Sequence, residues 1–211
     1  MTHEQRSPEW FEARLGKVTA SCIAKVMAKL KTGKPSADRE NYAAQLMAER
    51  LTGMQQDSFS NAAMQWGTET EPQARAAYEF LHGVTVEEVG FVDHPTLAMS
   101  GASPDGLVGS AGLVEIKCPI TKTHFETLEG APIADKYIKQ MQWQMACTGR
   151  EWCDFASYDP RVPESMKLHV TRVDRDDALI AEIEAEVSAF LIEIDMRVAD
   201  LRARYELKEA A

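Results

Sequence analysis

Two acids and a lysine stand at a spacing suited to phosphoryl chemistry. Asp105 lies in Ser103-Pro104-Asp105-Gly106, and Glu115 and Lys117 follow in Glu115-Ile116-Lys117. Side chains alternate along a strand, so Glu115 and Lys117 share one face while Ile116 points to the other. If the two segments form a hairpin, Asp105 sits beside that face. Two carboxylates and the Ile116 backbone carbonyl form an all-oxygen set of the kind that holds Mg²⁺. A metal pair stabilises charge on a phosphoryl centre and helps to generate hydroxide. Lys117 would orient the attacking water or stabilise developing charge. A Glu and a Lys two apart on a strand are also a common solvated pair. Here the apolar neighbours Val114 and Ile116 and the turn-borne Asp105 argue for more. A further acid stands in Trp66-Gly67-Thr68-Glu69-Thr70-Glu71-Pro72, with Glu71 and Glu69 both open as candidates. Downstream, Tyr137 and Gln140 are three apart and share a helix face.

The elements that must position these groups are legible in outline. Ser7-Pro8-Glu9 caps and opens a helix that ends at Gly16. Thr19 to Ser21 offers caps for a second helix carrying Ile23, Val26, Met27 and Leu30. A basic, Gly/Pro-broken loop follows at 31–36, then helices over about 37–51 and 62–81. Gly67 and Pro72 suggest a break in the latter. Strands are expected over 84–92, 97–100 and 113–118, the last stopped by Pro119. Helices at 121–128 and 133–147, strands at 152–158 and 166–173, and a terminal helix over about 176–207 complete the chain. That helix has one apolar stripe running from Leu179 to Val198. The expectation is a single α/β domain over 1–211, a small mixed sheet flanked by helices, with a helical N-terminal portion.

Composition bounds the function. The 211 residues contain 23 Lys plus Arg against 33 Asp plus Glu, a net charge of −10, which taken alone argues against a nucleic-acid partner. The charge is uneven, however. Residues 6–36 hold seven bases and two acids, and residues 174–211 hold eleven acids and five bases. The acids of the terminal helix are expected to lie away from the basic N-terminal segment. No apolar run approaches a membrane span, and Met1 to Arg6 has no signal-peptide character, so a cytoplasmic chain is expected. Cys22, Cys118, Cys147 and Cys153 form no C-x-x-C pair and read as reduced thiols.

Six blocks occur in order: Arg14-Leu15-Gly16 with Thr19-Ala20-Ser21; Trp66-Gly67 with Glu71; Ser103-Pro104-Asp105-Gly106-Leu107; Glu115-Ile116-Lys117-Cys118-Pro119; Tyr137 to Gln142; and Tyr158-Asp159-Pro160-Arg161. Together they resemble the lambda-exonuclease type of phage recombination nuclease, the YqaJ-like viral recombinase group of the PD-(D/E)XK superfamily. The resemblance implies a restriction-endonuclease-like α/β core. It also implies a 5′→3′ exonuclease acting on double-stranded DNA ends in a bacterial or prophage setting. By position, Asp105, Glu115 and Ile116 would be metal ligands, Glu71 would complete a second metal site, and Lys117 and Gln140 would be catalytic. The implied cation is Mg²⁺, with Mn²⁺ as a substitute. Arg14 and Ser21 would hold the 5′-phosphate, which suits an arginine fork and a hydroxyl near a helix start. Met64 falls where the family places an apolar wedge, with ordinary core packing equally open. Lys25, Lys29, Lys31, Lys34 and Tyr137 are candidate DNA contacts. The family further implies a homotrimeric ring and a single-strand annealing partner. Asp93 and His94 stand where an additional acid is often found, but at shifted spacing, and they carry no assigned role. The alternative readings are a structure-specific endonuclease of the same superfamily and a non-catalytic DNA-end-binding recombination protein.

Overall fold

The computed structural model describes residues 4–56 and 62–205. The Ser7 side chain accepts a hydrogen bond from the Trp10 N–H and starts α1 (Pro8–Arg14), with Pro8 where no donor is needed. After β1 (Val18–Thr19) and a 3-10 turn over Ala20–Cys22, α2 spans only Ile23–Val26. The helix does not continue to Leu30. Residues 28–36 close on themselves instead, through Leu30 N–H to Lys34 O and Ser36 N–H to Ala28 O, around Gly33 at φ +78°. Ser36 then caps α3 (Ala37–Thr52), which ends on left-handed Gly53.

Helix α4 (Ala62–His82) runs unbroken through Gly67 and Pro72. Buried Ala74 and Tyr78 anchor its second half, and Pro72 forfeits only the bond to the carbonyl of Thr68, which is exposed. The stretch 84–92 is two strands rather than one. β2 (Val86–Glu87) and β3 (Val92–Asp93) belong to different sheets, and residues 88–91 connect them. β4 (Ser100–Ala102) starts later than expected. The N–H groups of Thr96 and Leu97 donate to His94 Nδ1, and Met99 takes φ +61°, so residues 94–99 form a turn. His94 also stacks on Trp143, with ring centroids 4.6 Å apart, and Asp93 pairs with Lys17 at 2.6 Å. Both residues that lacked a role from the sequence therefore hold this corner.

β5 (Gly106–Val108) and β6 (Gly112–Lys117) form an antiparallel hairpin with Gly106 opposite Val114. The crossover through α5 (Thr121–Leu128) and α6 (Asp135–Thr148) leads to β7 (Trp152–Tyr158), parallel to β6. β8 (Leu168–Asp174) then returns antiparallel, and α7 (Asp177–Tyr205) follows. The main sheet is mixed, in the order β2-β5-β6-β7-β8. A smaller sheet runs β1-β4-β3. This is the α/β architecture read from the sequence, with two sheets where one was expected.

One face of the main sheet is covered by α4 and the other by α6, with α5 beside it, where buried His124 hydrogen-bonds Ser157 at 2.8 Å. Ala74 and Tyr78 of α4 pack on Val114, Ile116 and Ala156, while Met141 and Met145 of α6 pack on Leu113, Cys153 and Phe155. A third core joins Ile23 and Val26 of α2 and Tyr42 and Leu46 of α3 to Ile183, Val187, Phe190 and Ile194 of α7. This packing corrects the expected separation of charge. Helix α7 lies against the basic N-terminal part, where Lys29 pairs with Glu186, Arg39 with Glu193 at 2.8 Å and Arg50 with Asp195 at 2.6 Å. Apolar stripes on α2, α3 and α7 must be buried together, and that brings opposite charges alongside. Among the described residues no helix is long and apolar enough to cross a membrane.

Candidate active site

Alternation along β6 builds the site. Val114 and Ile116 enter the core under α4, whereas Glu115 turns to α6 and is fully buried there. Gln140 Nε2 donates to Glu115 Oε1 at 2.6 Å and Gln144 Nε2 to Oε2 at 2.7 Å. Lys117, on the same face, forms an ion pair with Glu115 Oε1. Hairpin register places Asp105 across from Glu115, and Asp105 Oδ2 accepts from the Ile116 N–H at 2.8 Å. Cys118 packs with the Ile116 side and borders the cleft, where burial and then Glu71 push its thiol up to about 12.

These charges perturb one another. Burial, then the nearby Glu115 and to a smaller degree Glu71, push the Asp105 carboxyl up to about 8, against the opposing pull of Lys117 and the Ile116 N–H. Burial alone would discharge Lys117, but Glu115 and Asp105 outweigh it and hold the ammonium more firmly protonated than usual.

A cleft of about 1190 Å³ opens over this group, and Asp105, Ile116, Lys117 and Gln140 line it. Glu71 reaches it from α4, bound by Arg75 at 2.9 Å and Arg6 at 3.2 Å. Glu69 accepts from Gln65 on the exposed side of α4, so the ambiguity between the two acids resolves to Glu71. Ser21, Met64 and Tyr137 also line the cleft, with the Tyr137 ring 5.3 Å from Lys117 Nζ. Arg14 does not. Its guanidinium lies over Trp10, 4.0 Å from the ring centroid, and donates to Ser103 Oγ at 3.1 Å. Lys25, Lys29, Lys31 and Lys34 are exposed outside the cleft.

Arg6, Lys136, Arg161 and Trp66 also line the cleft, and Gln144 lies behind it. Of these, Trp66 and Arg161 stand within the matched sequence blocks without an assigned role, and the other three are not singled out there. Gln144 was detectable, because positions 137, 140 and 144 form one helical stripe. Lys136 neighbours Tyr137 on α6, and Arg6 comes from the N-terminal turn, which carries no local signal for a place in the cleft.

The donor set suits a hard divalent cation. Burial and then the nearby Glu115 raise Asp105, and Ile116 and Glu71 line the same cleft. Among the described residues no cluster of three His, Cys, Asp or Glu is arranged to hold a metal. Each carboxylate is instead turned to a protein donor: Glu71 to Arg6 and Arg75, Glu115 to Lys117 and the two glutamines, and Asp105 to the Ile116 N–H.

The profile of the YqaJ-like viral recombinase domain matches residues 9–151, which include every one of these acids and both glutamines. The chain belongs to this family. Among solved structures, it is similar to the alkaline exonuclease LHK-Exo of Laribacter hongkongensis. One crystal structure of LHK-Exo, in complex with dAMP, is 57% identical, with a TM-score of 0.89 over 97% of this chain and 100% of that one. A phage-related exonuclease from Haemophilus somnus 129PT shares the fold, with a TM-score of 0.68 at 19% identity over 88% of this chain and 96% of that one. A curated relative is the uncharacterized protein R354 of Acanthamoeba polyphaga mimivirus, 26% identical over 165 residues. That match covers 72% of this family member but only 28% of R354.

Proposed function

We propose that the chain is a Mg²⁺-dependent 5′→3′ exonuclease. It digests linear duplex DNA from 5′-phosphorylated ends to 5′-mononucleotides and leaves a 3′ single strand during phage-type recombination. The observation that carries this reading is Glu115, buried behind the cleft lining between Lys117, Gln140 and Gln144 and beside Asp105. Support also comes from the dAMP complex of an alkaline exonuclease 57% identical to this chain.

Divalent cations held by Asp105, Glu115, the Ile116 carbonyl and Glu71 would supply phosphoryl charge neutralisation and an acidified water. The chain's own groups do the rest. Lys117, kept protonated by two carboxylates, orients the attacking water and meets the negative charge that develops on phosphate. Gln140 and Gln144 fix both oxygens of Glu115, so the ligand set is preorganised. Met64 at the cleft rim serves as the wedge, and Ser21 contributes to the 5′-phosphate pocket. Arg14 reaches that pocket only after leaving Ser103. We further propose a homotrimeric ring working with a single-strand annealing protein, which would dock on α7 where Ile192 and Met196 are exposed.

The test is nucleotide release from 5′-phosphorylated linear duplex with Mg²⁺, compared with a closed circle. Release should be lost in EDTA and fall at least about a hundredfold in Glu115→Ala and Lys117→Ala. Cleavage of the circle, or release insensitive to both substitutions, would refute the reading. The same preparation should sediment as three chains.

A further inference from the structure

Two arginines line the cleft, and they are held very differently. Arg161 is committed. It donates to both oxygens of Asp159 at 2.7 and 2.8 Å and to the Pro119 carbonyl at 3.2 Å, and it lies over Trp66 at 4.4 Å. Among the described residues, Arg6 makes one polar side-chain contact, to Glu71 Oε2 at 3.2 Å, and its side chain is 52% exposed. Arg14 is packed behind the cleft on Trp10 and Ser103. Arg6 is therefore the guanidinium with open hydrogen-bonding capacity at the carboxylates.

Its backbone is held in place on purpose-built contacts. Arg6 adopts φ +71°, a left-handed conformation uncommon for a residue with a side chain. Gln5 Nε2 donates to Val89 O at 2.8 Å and to Pro104 O at 2.7 Å, strapping the segment beside Asp105. The Ser7 N–H donates to Glu4 O at 3.1 Å, and Ser7 then caps α1. A turn strapped on both sides thus delivers one arginine to the cleft. Neutralising Glu71 does not require it, because Arg75, one helical turn away and only 14% exposed, already does so at 2.9 Å.

We propose that Arg6 is a substrate-binding residue that leaves Glu71 to bind a non-bridging phosphate oxygen of the DNA strand in the cleft. The inference rests on the nuclease reading. A guanidinium fork matches two phosphate oxygens with parallel N–H donors, which an ammonium does not. Its departure from Glu71 frees a carboxylate oxygen for a cation, so phosphate capture and cation binding favour each other. In the DNA-free protein, Arg6 and a cation compete for the same oxygen.

The experiment measures binding of 5′-phosphorylated duplex by fluorescence anisotropy, with Ca²⁺ replacing Mg²⁺, across a KCl series. Arg6→Gln should weaken binding about tenfold and reduce the slope of log K against log salt by about 0.9. Arg6→Lys should restore the slope with only part of the affinity. Without DNA, Arg6→Gln should bind Ca²⁺ more tightly than wild type in calorimetry. An unchanged salt slope in Arg6→Gln overturns the phosphate contact, whatever happens to affinity or melting temperature. Unchanged Ca²⁺ affinity overturns the exchange at Glu71. Wild-type nucleotide release is assayed in parallel. Its absence refutes the nuclease reading, whereas active wild type with an unaltered Arg6→Gln slope refutes this inference alone.

Discussion

Gln144 donates to Glu115 at one end and leaves its own Oε1 buried without a partner. An unsatisfied buried carbonyl costs about 1–3 kcal/mol, against which stands the bond that the amide N–H makes to Glu115. Gln144→Leu should remove the orphaned oxygen but strand Glu115 Oε2. The expected result is a kcat lowered about tenfold or more with KM near wild type, because hydrogen bonds to a charged group contribute about 1.5–3 kcal/mol. Steady-state kinetics on linear duplex checks this, and an unchanged kcat would make Gln144 a packing residue. At this scale much of the site is legible in the sequence. Asp105, Glu115 and Lys117 follow from strand alternation and a turn, both properties of nearby backbone. Glu71 and Glu69 are not separable in the sequence, since both lie in one helical run two residues apart, and only the packing of α4 on the sheet shows which faces the cleft.

The hairpin β5–β6 is the element that brings Asp105 to Glu115, and glycines permit its packing. A Cβ on Gly112 would collide with the indole of Trp152, which also carries Arg172 at 3.6 Å from its ring centroid. Gly112→Ala should therefore destabilise by about 1–3 kcal/mol. Thermal unfolding should show a drop of roughly 2–4 °C per kcal/mol. An unshifted melting temperature would mean that Trp152 can swing away freely. Elements with strong local punctuation matched expectation, notably α5 and β7. The expected long second helix and the single strand over 84–92 did not form. In the first, a self-closed loop outcompeted the helical period. In the second, a continuous β-branched run was divided between two sheets, which no local pattern encodes.

For the whole molecule, the net charge of −10 is distributed by packing rather than by position along the chain. Bases and acids far apart in sequence pair across α2, α3 and α7, so the acidic terminal helix does not form a separate wall. The cleft acids, by contrast, are crowded together with Lys117, with a consequence for stability. Asp105 rises from an ordinary 3.8 to about 8 in the folded chain, so the folded state retains a proton that the unfolded state releases. Stability from this group is full below about pH 4 and is lost as pH rises through about 8. In EDTA, the melting temperature should fall across this window, and Asp105→Asn should flatten the fall. Mg²⁺ should restore stability more at pH 8 than at pH 6. Identical pH slopes in wild type and Asp105→Asn, followed by calorimetry, would refute this.

The α/β class, the hairpin acids with their lysine, and the helical stripe that carries Tyr137 and Gln140 are all readable from the order of residues. Each depends on a backbone period of two or 3.6 residues and on turn residues close by. Only the tertiary structure decided that Glu71 rather than Glu69 faces the cleft and that Gln144 completes the grip on Glu115. It also decided that Arg6 arrives from the N-terminal turn and that α7 neutralises the basic segment. Those outcomes depend on which apolar faces are buried together, a condition on the whole chain that no local period records.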